Sequence, residues 1–157
     1  MNAYIAIKFV HVLSSTILFG TGLGTAFHMW MTHRTGDVRA IANATRLTVL
    51  ADWFFTTPAV IVQPVTGFAL IRFAGFGWGQ SWLVAAMVLY LIAGACWLPV
   101  VWLQLRARNI AMDCVVRDAA LPPAYFRVMR IWFALGWPAF LAVIAVFWLM
   151  IAKPTLW

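Results

Sequence analysis

Four long apolar runs restrict what this sequence can fold into, and they lie at residues 5–31, 47–73, 82–105 and 131–152. Each run reaches the roughly 20 residues that a helix needs to cross the hydrocarbon core of a bilayer. Unpaired backbone groups are costly in lipid, so runs of this length indicate helices. The sequence therefore predicts an all-α fold, a polytopic membrane four-helix bundle in which residues 1–157 form a single transmembrane domain.

Composition supports a membrane protein and excludes two other classes. Hydrophobic residues make up 65% of the chain and charged residues 10%, whereas a soluble domain carries about 25% charged residues. The formal net charge is +7, but the basic residues are scattered between apolar runs and form no basic face for nucleic acid. Cys96 lies in an apolar run and Cys114 in a polar connection, so we expect two unpaired thiols.

The basic residues are distributed unequally between the two ends of the predicted bundle. One end carries Arg34, Arg39, Arg46, Arg106, Arg108, Arg117, Arg127 and Arg130. The opposite end carries Lys8, Arg72 and Lys153. The positive-inside rule then predicts that both termini are periplasmic and that the arginine-bearing connections are cytoplasmic, in a bacterial inner (cytoplasmic) membrane.

Irregular features are expected in the second span and in the connections. Pro58, Pro64 and Gly67 predict a kinked or broken second helix, because proline removes a backbone donor. Residues 32–45 are predicted to form a polar loop. Residues 109–120 are predicted to form a short, separate amphipathic helix.

His11 is the first polar residue that calls for a functional explanation, because ionisable groups inside a membrane are costly. Lys8 lies on the same face of the first helix, and Arg72 and Lys153 lie at similar depth. A histidine with nearby cations is what a membrane-embedded haem b requires. His11 is therefore the candidate axial (metal) ligand, and Lys8, Arg72 or Lys153 the candidate partners of the propionates.

The second axial ligand stays open at this point. Met87 and Met150 lie at a depth that matches His11. In a symmetric homodimer, His11 of a second subunit would serve instead. A hydrogen-bonded histidine between helices, a lysine that extends to the headgroups and methionines that fill space are the structural alternatives.

A second polar group, at the other end, contains His28, Asp52, Gln104 and His33. We expect a contact between His28 and Asp52, since a lone carboxylate needs a partner in the membrane. Such a pair would hold helices together, relay protons or orient a ligand of a second haem. His33 is expected to be solvated.

Small residues recur along the first helix at four-residue spacing, at Thr16, Gly20 and Gly24, followed by His28. Such a pattern lets another backbone approach closely. It predicts either a homodimer interface or a seat for the second or fourth helix of the same chain.

Across nearly its whole length the chain resembles domain-of-unknown-function family 2269 of bacterial integral membrane proteins. The resemblance is carried by KFVH at 8–11, FGTGLGTA at 19–26, ADWFFTTP at 51–58, QPVTG at 63–67, WLPVVW at 97–102 and WFALGWPAF at 132–140. The first helix is also distantly similar to HemJ-type protoporphyrinogen oxidases, which implies haem ligation by His11. Those enzymes also use a lysine in a later helix, which the third span here lacks.

Three functional hypotheses follow from these residues. The first is a b-type haem protein with a redox or electron-transfer role and a quinol or small redox partner. The second is a non-catalytic membrane subunit or small transporter, in which Lys8, His11, Asp52 and Arg72 hold helices together or line a polar path. The third is an oxidase like the HemJ type.

Overall fold

The computed structural model describes residues 2–157; Met1, the first residue of the predicted domain, lies outside the described residues. The elements are α1 (Ala3–Thr35), α2 (Val38–Ala51), a π-helical segment (Asp52–Thr56), α3 (Thr57–Ala74), α4 (Ser81–Val116) and α5 (Pro123–Ala152). Because α2, the π-helical segment and α3 follow one another without a break, the chain has four helical stretches. All four are long and apolar enough to cross a membrane, which confirms the all-α fold with four spanning helices.

The connection between α1 and α2 is much shorter than predicted. Gly36 adopts a left-handed conformation with φ of 70° and ends α1, and Asp37 accepts hydrogen bonds from the backbone N–H groups of Arg39 and Ala40. A left-handed glycine followed by an N-cap aspartate ends one helix and begins the next within two residues. The prediction of a polar loop over 32–45 is therefore wrong.

The predicted separate helix at 109–120 is also wrong, because α4 continues without interruption to Val116. No glycine or proline occurs between Pro99 and Val116 to end it. Ala107, Ala111 and Cys114 are buried along this extension, so packing against the rest of the bundle supports the additional turns. Cys114 and Cys96 are both free, as expected.

The interruption expected in the second span takes the form of the π-helical segment. The N–H of Thr57 bonds to the carbonyl of Asp52, five residues earlier. Pro58 follows in the first turn of α3. Proline offers no N–H to the carbonyl four residues before it and its ring crowds that carbonyl, which favours a wider turn at this place. Single π-helical turns of this kind are frequent at functional sites.

The two ends of the bundle are identified by contacts between distant parts of the chain. At the end that holds both termini, called here the terminal end, the backbone N–H of Leu156 donates to Ser81 Oγ over 2.8 Å. At the other end, called here the arginine end, His33 Nδ1 lies 3.4 Å from Tyr125 Oη. Helix α4 packs on α5, α1 packs on α3, and α2 packs on α4.

The core is unevenly divided between the two ends. A larger cluster near the arginine end contains Met29, Ile41, Tyr125 and Met129 among others. A smaller cluster near the terminal end consists of Ile71, Trp82, Leu83, Ala86 and Leu149. Many large apolar side chains face outward, as lipid permits; Leu91 is 70% exposed.

The small residues of α1 do not receive another helix of the same chain. A Cβ atom at Gly20, Gly22 or Gly24 would meet nothing within 4 Å. The predicted seat for a second or fourth helix is therefore wrong at these positions, because no other helix within residues 2–157 approaches these glycines closely.

Candidate functional site

His11 lies on α1 where that helix packs against α3. Its Nδ1 atom is 2.8 Å from Thr66 Oγ1, and the ring is half-buried. Gly67 follows on α3, where an added Cβ atom would lie 3.4 Å from His11 Cε1. A Cβ atom there would be at van der Waals distance from the ring, so α3 passes close to the imidazole at Gly67.

The hydrogen bonds of Thr66 assign the tautomer of His11. The Thr66 hydroxyl donates its one hydrogen to the carbonyl of Val62, over 2.7 Å, with Gln63 O a second acceptor at 3.2 Å. Thr66 Oγ1 must then accept from His11, so Nδ1 carries the proton. The lone pair is left on Nε2, which has no hydrogen-bond partner within residues 2–157. An imidazole with a fixed Nδ1–H and a free Nε2 is prepared to bind a metal.

Gln63 joins the same two helices, although the sequence did not predict it as a site residue. Its Nε2 atom donates to the carbonyl of His11 over 2.7 Å and to Ser14 Oγ over 2.8 Å. The buried Ser14 hydroxyl in turn donates to His11 O over 3.1 Å. The signal that could have found Gln63 is its amide, which stands in an otherwise apolar span and needs a partner there.

The cations predicted to accompany His11 lie at the terminal end, each in its own surroundings. Lys8 Nζ is 5.9 Å from the ring centroid of Tyr4. Lys153 Nζ is 4.6 Å from that of Phe76. Arg72 is exposed in the last turn of α3. The one ion pair within residues 2–157 joins Arg117 to Asp113 and involves none of these three cations.

The two methionines predicted as second ligands belong to the other pair of helices. Met87 is half-buried on α4. Met150, on α5, packs against the terminal cluster of Ile71, Trp82, Leu83, Ala86 and Leu149. His11, in contrast, belongs to the pair formed by α1 and α3, so the shared depth of these residues does not by itself bring them together.

Asp52 forms the most buried polar network of the molecule. Its Oδ1 atom accepts from Thr56 Oγ1 over 2.7 Å and its Oδ2 atom accepts from Gln104 Nε2 over 2.5 Å. Gln104 Oε1 then accepts from Trp132 Nε1 over 3.3 Å. The network joins the π-helical segment to α4 and α5. The prediction that Asp52 and Gln104 share a cluster is confirmed.

The expected contact between Asp52 and His28 is wrong. The π-helical segment directs Asp52 toward Gln104, whereas His28 is exposed and lines a groove with Thr48, Ala51 and Phe55. His33 is half-buried rather than solvated, since its ring packs against Tyr125, with a centroid distance of 5.6 Å.

The groove beside His28 has a volume of about 560 Å³ and lies between α1 and the stretch formed by α2 and the π-helical segment. It is lined by Gly24, Thr25, His28, Leu47, Thr48, Leu50, Ala51, Phe54 and Phe55. No group of three or more His, Cys, Asp or Glu side chains within residues 2–157 could hold a metal ion.

Residues 5–154 match the family model DUF2269, described as a predicted integral membrane protein. The chain belongs to this family. The match spans all four membrane helices and both polar networks, so the helical bundle and its polar interior are part of one family domain. No curated protein and no solved structure matches the chain.

Proposed function

We propose that this member of the DUF2269 family is a b-type haem protein with a redox role in the membrane. The observation that supports the proposal is the 2.8 Å contact between His11 Nδ1 and Thr66 Oγ1, from which we infer a protonated Nδ1 and an Nε2 that has no partner within residues 2–157. A fixed Nδ1–H orients a ligating imidazole and raises its basicity. Haem iron needs only one or two such protein ligands. A haem site therefore does not require a group of three or more metal-binding side chains, which the described residues lack.

His11 would hold the iron, and Lys8, Arg72 and Lys153 at the same end would neutralise the propionates. Met87, Met150 or His11 of a second subunit would supply the second ligand. A bound haem supplies one-electron transfer in the membrane. Thr66 keeps the imidazole in one tautomer, and Gln63 fixes the position of α1 against α3.

The visible spectrum of the purified protein tests the haem proposal. Protein expressed with ample haem should show a Soret band, and split α and β bands on reduction. His11→Ala should lose the haem, while His33→Ala, a matched substitution at the other end of α1, should retain it. Full haem content in His11→Ala, or a colourless wild-type protein, would refute the proposal.

A non-catalytic membrane subunit is the second candidate, because the polar side chains largely satisfy one another. His11 pairs with Thr66, Gln63 with Ser14, and Asp52 with Gln104. Hydrogen bonds of this kind hold membrane helices together. A colourless protein that remains folded, and that loses stability when Gln63 or Gln104 is replaced, supports this function over the first.

For the arrangement in the cell we propose a homodimer in the bacterial inner membrane, with both termini periplasmic. The arginines at one end support this orientation through the positive-inside rule, and the outward-facing Gly20 of α1, one turn from the groove beside His28, supports close approach by a second copy that leaves the groove open. Alkaline phosphatase fused after Trp157 should be active, and a fluorescent protein fused there should be dark. The reverse pair of results contradicts the orientation.

A further inference from the structure

The groove beside His28 is an open depression on the side of the bundle. Its volume of about 560 Å³ is enough for a small ring system. Leu47, Leu50, Phe54 and Phe55 form apolar walls that are 39–70% exposed. The groove is therefore open to the surroundings of the bundle, and a ligand dissolved in the bilayer can reach it from the side.

Thr48 borders the groove, and its hydroxyl lies beneath the groove surface without a hydrogen-bond partner among the described residues. The side chain is 2% exposed, and within residues 2–157 its Oγ1 atom is the buried side-chain oxygen that lacks any partner. Other hydroxyls of the membrane helices donate to a carbonyl of their own helix: Ser14, Ser15, Thr16, Thr25, Thr45 and Thr66. An unpaired buried hydroxyl costs free energy, so a ligand oxygen that the Thr48 hydroxyl reaches by rotation about the Cα–Cβ bond would be stabilising.

His28 supplies a second polar group on the opposite wall. It is exposed on α1 about one and a half turns before Arg34, and its ring forms no hydrogen bond within residues 2–157. An imidazole that faces lipid without a partner is costly. The groove thus has polar groups on both walls, contributed by α1 and α2, between apolar and aromatic surfaces.

We propose that this groove binds the head group of a lipid-soluble quinone or quinol. Such a ligand is a neutral apolar ring with oxygen atoms on opposite sides, and it reaches the protein through the bilayer. Its oxygens would pair with the Thr48 hydroxyl, after rotation about the Cα–Cβ bond, and with the His28 ring. Phe54 and Phe55 would cover the ring. The role of a bound quinone as an electron donor or acceptor rests on the proposed redox function. Binding of the quinone in the groove does not require haem.

Two other occupants fit the same observations less well. A phospholipid tail would fill the apolar walls but leave Thr48 and His28 without partners. A phospholipid headgroup would find no cation, because no lysine or arginine lines the groove. A second copy of the chain would cover the groove with further apolar surface and again leave both polar groups unsatisfied.

Binding is tested with the protein in lipid nanodiscs and decylubiquinone as the probe, measured by extraction of bound quinone after gel filtration. Empty nanodiscs give the background from partitioning into lipid. We expect saturable binding of about one quinone per chain above that background. Thr48→Val, which keeps the shape and removes the hydroxyl, should weaken binding roughly threefold to tenfold, as the loss of one hydrogen bond implies.

Two matched pairs separate the groove from general effects on folding. Gly24→Leu should abolish saturable binding because it fills the groove, whereas Gly20→Leu, one turn away on the same open face, should leave it unchanged. Thr45→Val should also leave it unchanged, because the Thr45 hydroxyl already donates to its own helix and does not line the groove.

The results also distinguish this inference from the haem proposal. Quinone binding that persists in His11→Ala supports the groove even when haem is absent, and haem that persists in Gly24→Leu shows that the two sites are separate. The inference is overturned by binding no higher than in empty nanodiscs, by equal loss in Gly24→Leu and Gly20→Leu, or by tightly held phospholipid that decylubiquinone does not displace.

Discussion

The two polar networks of the bundle differ in how completely they are closed. The network of Asp52 joins three helical elements, and Asp52 and Gln104 are 6% and 2% exposed. The network of His11 joins only α1 and α3, its imidazole is half-buried, and one ring nitrogen has no partner in the described residues. The side chains of the Asp52 network satisfy one another, whereas the His11 network leaves a ring nitrogen that is able to bind a ligand.

This difference distinguishes a network that stabilises the fold from a site that is able to bind a ligand. A buried polar network in which every member is paired makes the packing rigid and specific. The arginine end, with the larger core cluster and the Asp52 network, therefore acts as the scaffold. Within residues 2–157, unpaired polar groups occur beside this scaffold, at His28 and Thr48 along the groove, and nearer the terminal end at His11 between α1 and α3.

The three glutamines of the chain allow this comparison to be measured. The largest effect is expected for Gln104→Leu, because it removes the donor that binds the Asp52 carboxylate and the acceptor of Trp132. Loss of the partner of a buried carboxylate costs about 2–4 kcal/mol. The measurement is the free energy of unfolding in mixed micelles of increasing dodecyl sulfate, followed by circular dichroism.

Gln80→Leu is the control for Gln104→Leu. Gln80 precedes α4, is exposed, and caps no backbone group with its side chain, so this variant should change the unfolding free energy by less than about 0.5 kcal/mol. Equal losses in the two variants would mean that the Asp52 network contributes nothing specific.

Packing density should differ between the two halves of α4 as well. Ala107 is fully buried, and leucine there should overpack the core and cost about 1–3 kcal/mol. Gly94→Leu, nearer the terminal end of the same helix, should be nearly neutral on steric grounds, since an added Cβ atom meets nothing within 4 Å. The same unfolding experiment measures both, and a greater loss at Gly94 would reverse the proposed order of packing.

Gln63→Leu should have an intermediate effect of about 1 kcal/mol. It removes donors to His11 O and Ser14 Oγ, and interhelical hydrogen bonds in membranes contribute modestly. The unfolding free energy should therefore order the glutamine variants as Gln104, Gln63 and Gln80, from largest loss to smallest. A loss at Gln63 as large as that at Gln104 would indicate that the network of His11 is equally closed.

The sequence predicts the four spanning helices well because length and hydrophobicity suffice for a helix in lipid. It predicts helix ends poorly. Polar residues after a span suggested loops, but Asp37 is a cap and α4 continues as a helix beyond the apolar run. A polar residue ends a membrane span without ending the helix, so hydropathy alone does not locate the boundary.

For the candidate sites, the sequence selected His11, Asp52 and Gln104 because polar groups inside a membrane are costly. It placed Asp52 and Gln104 in one cluster but paired Asp52 with His28, and it did not predict Thr66 as the partner of His11. The direction of Asp52 depends on the π-helical turn before Pro58, and a register change of this kind cannot be read from depth along a regular helix. Thr48 was missed because a threonine in a helix normally bonds to its own backbone, so the exception is visible only in the structure.

The smallest effect on stability is expected at Asp113. Like Asp52, it lies at the arginine end and has a side-chain partner. It pairs with Arg117 over 2.9 Å, but both side chains are more than half exposed. Exposed ion pairs four residues apart contribute about 0.3–0.5 kcal/mol and weaken with salt. Asp113→Asn should therefore lower the unfolding free energy by no more than this amount, and less at high salt. Because Asp113 and Asp52 have the same chemical group, a loss at Asp113 comparable to that of Gln104→Leu would show that burial is not what makes the Asp52 network strong.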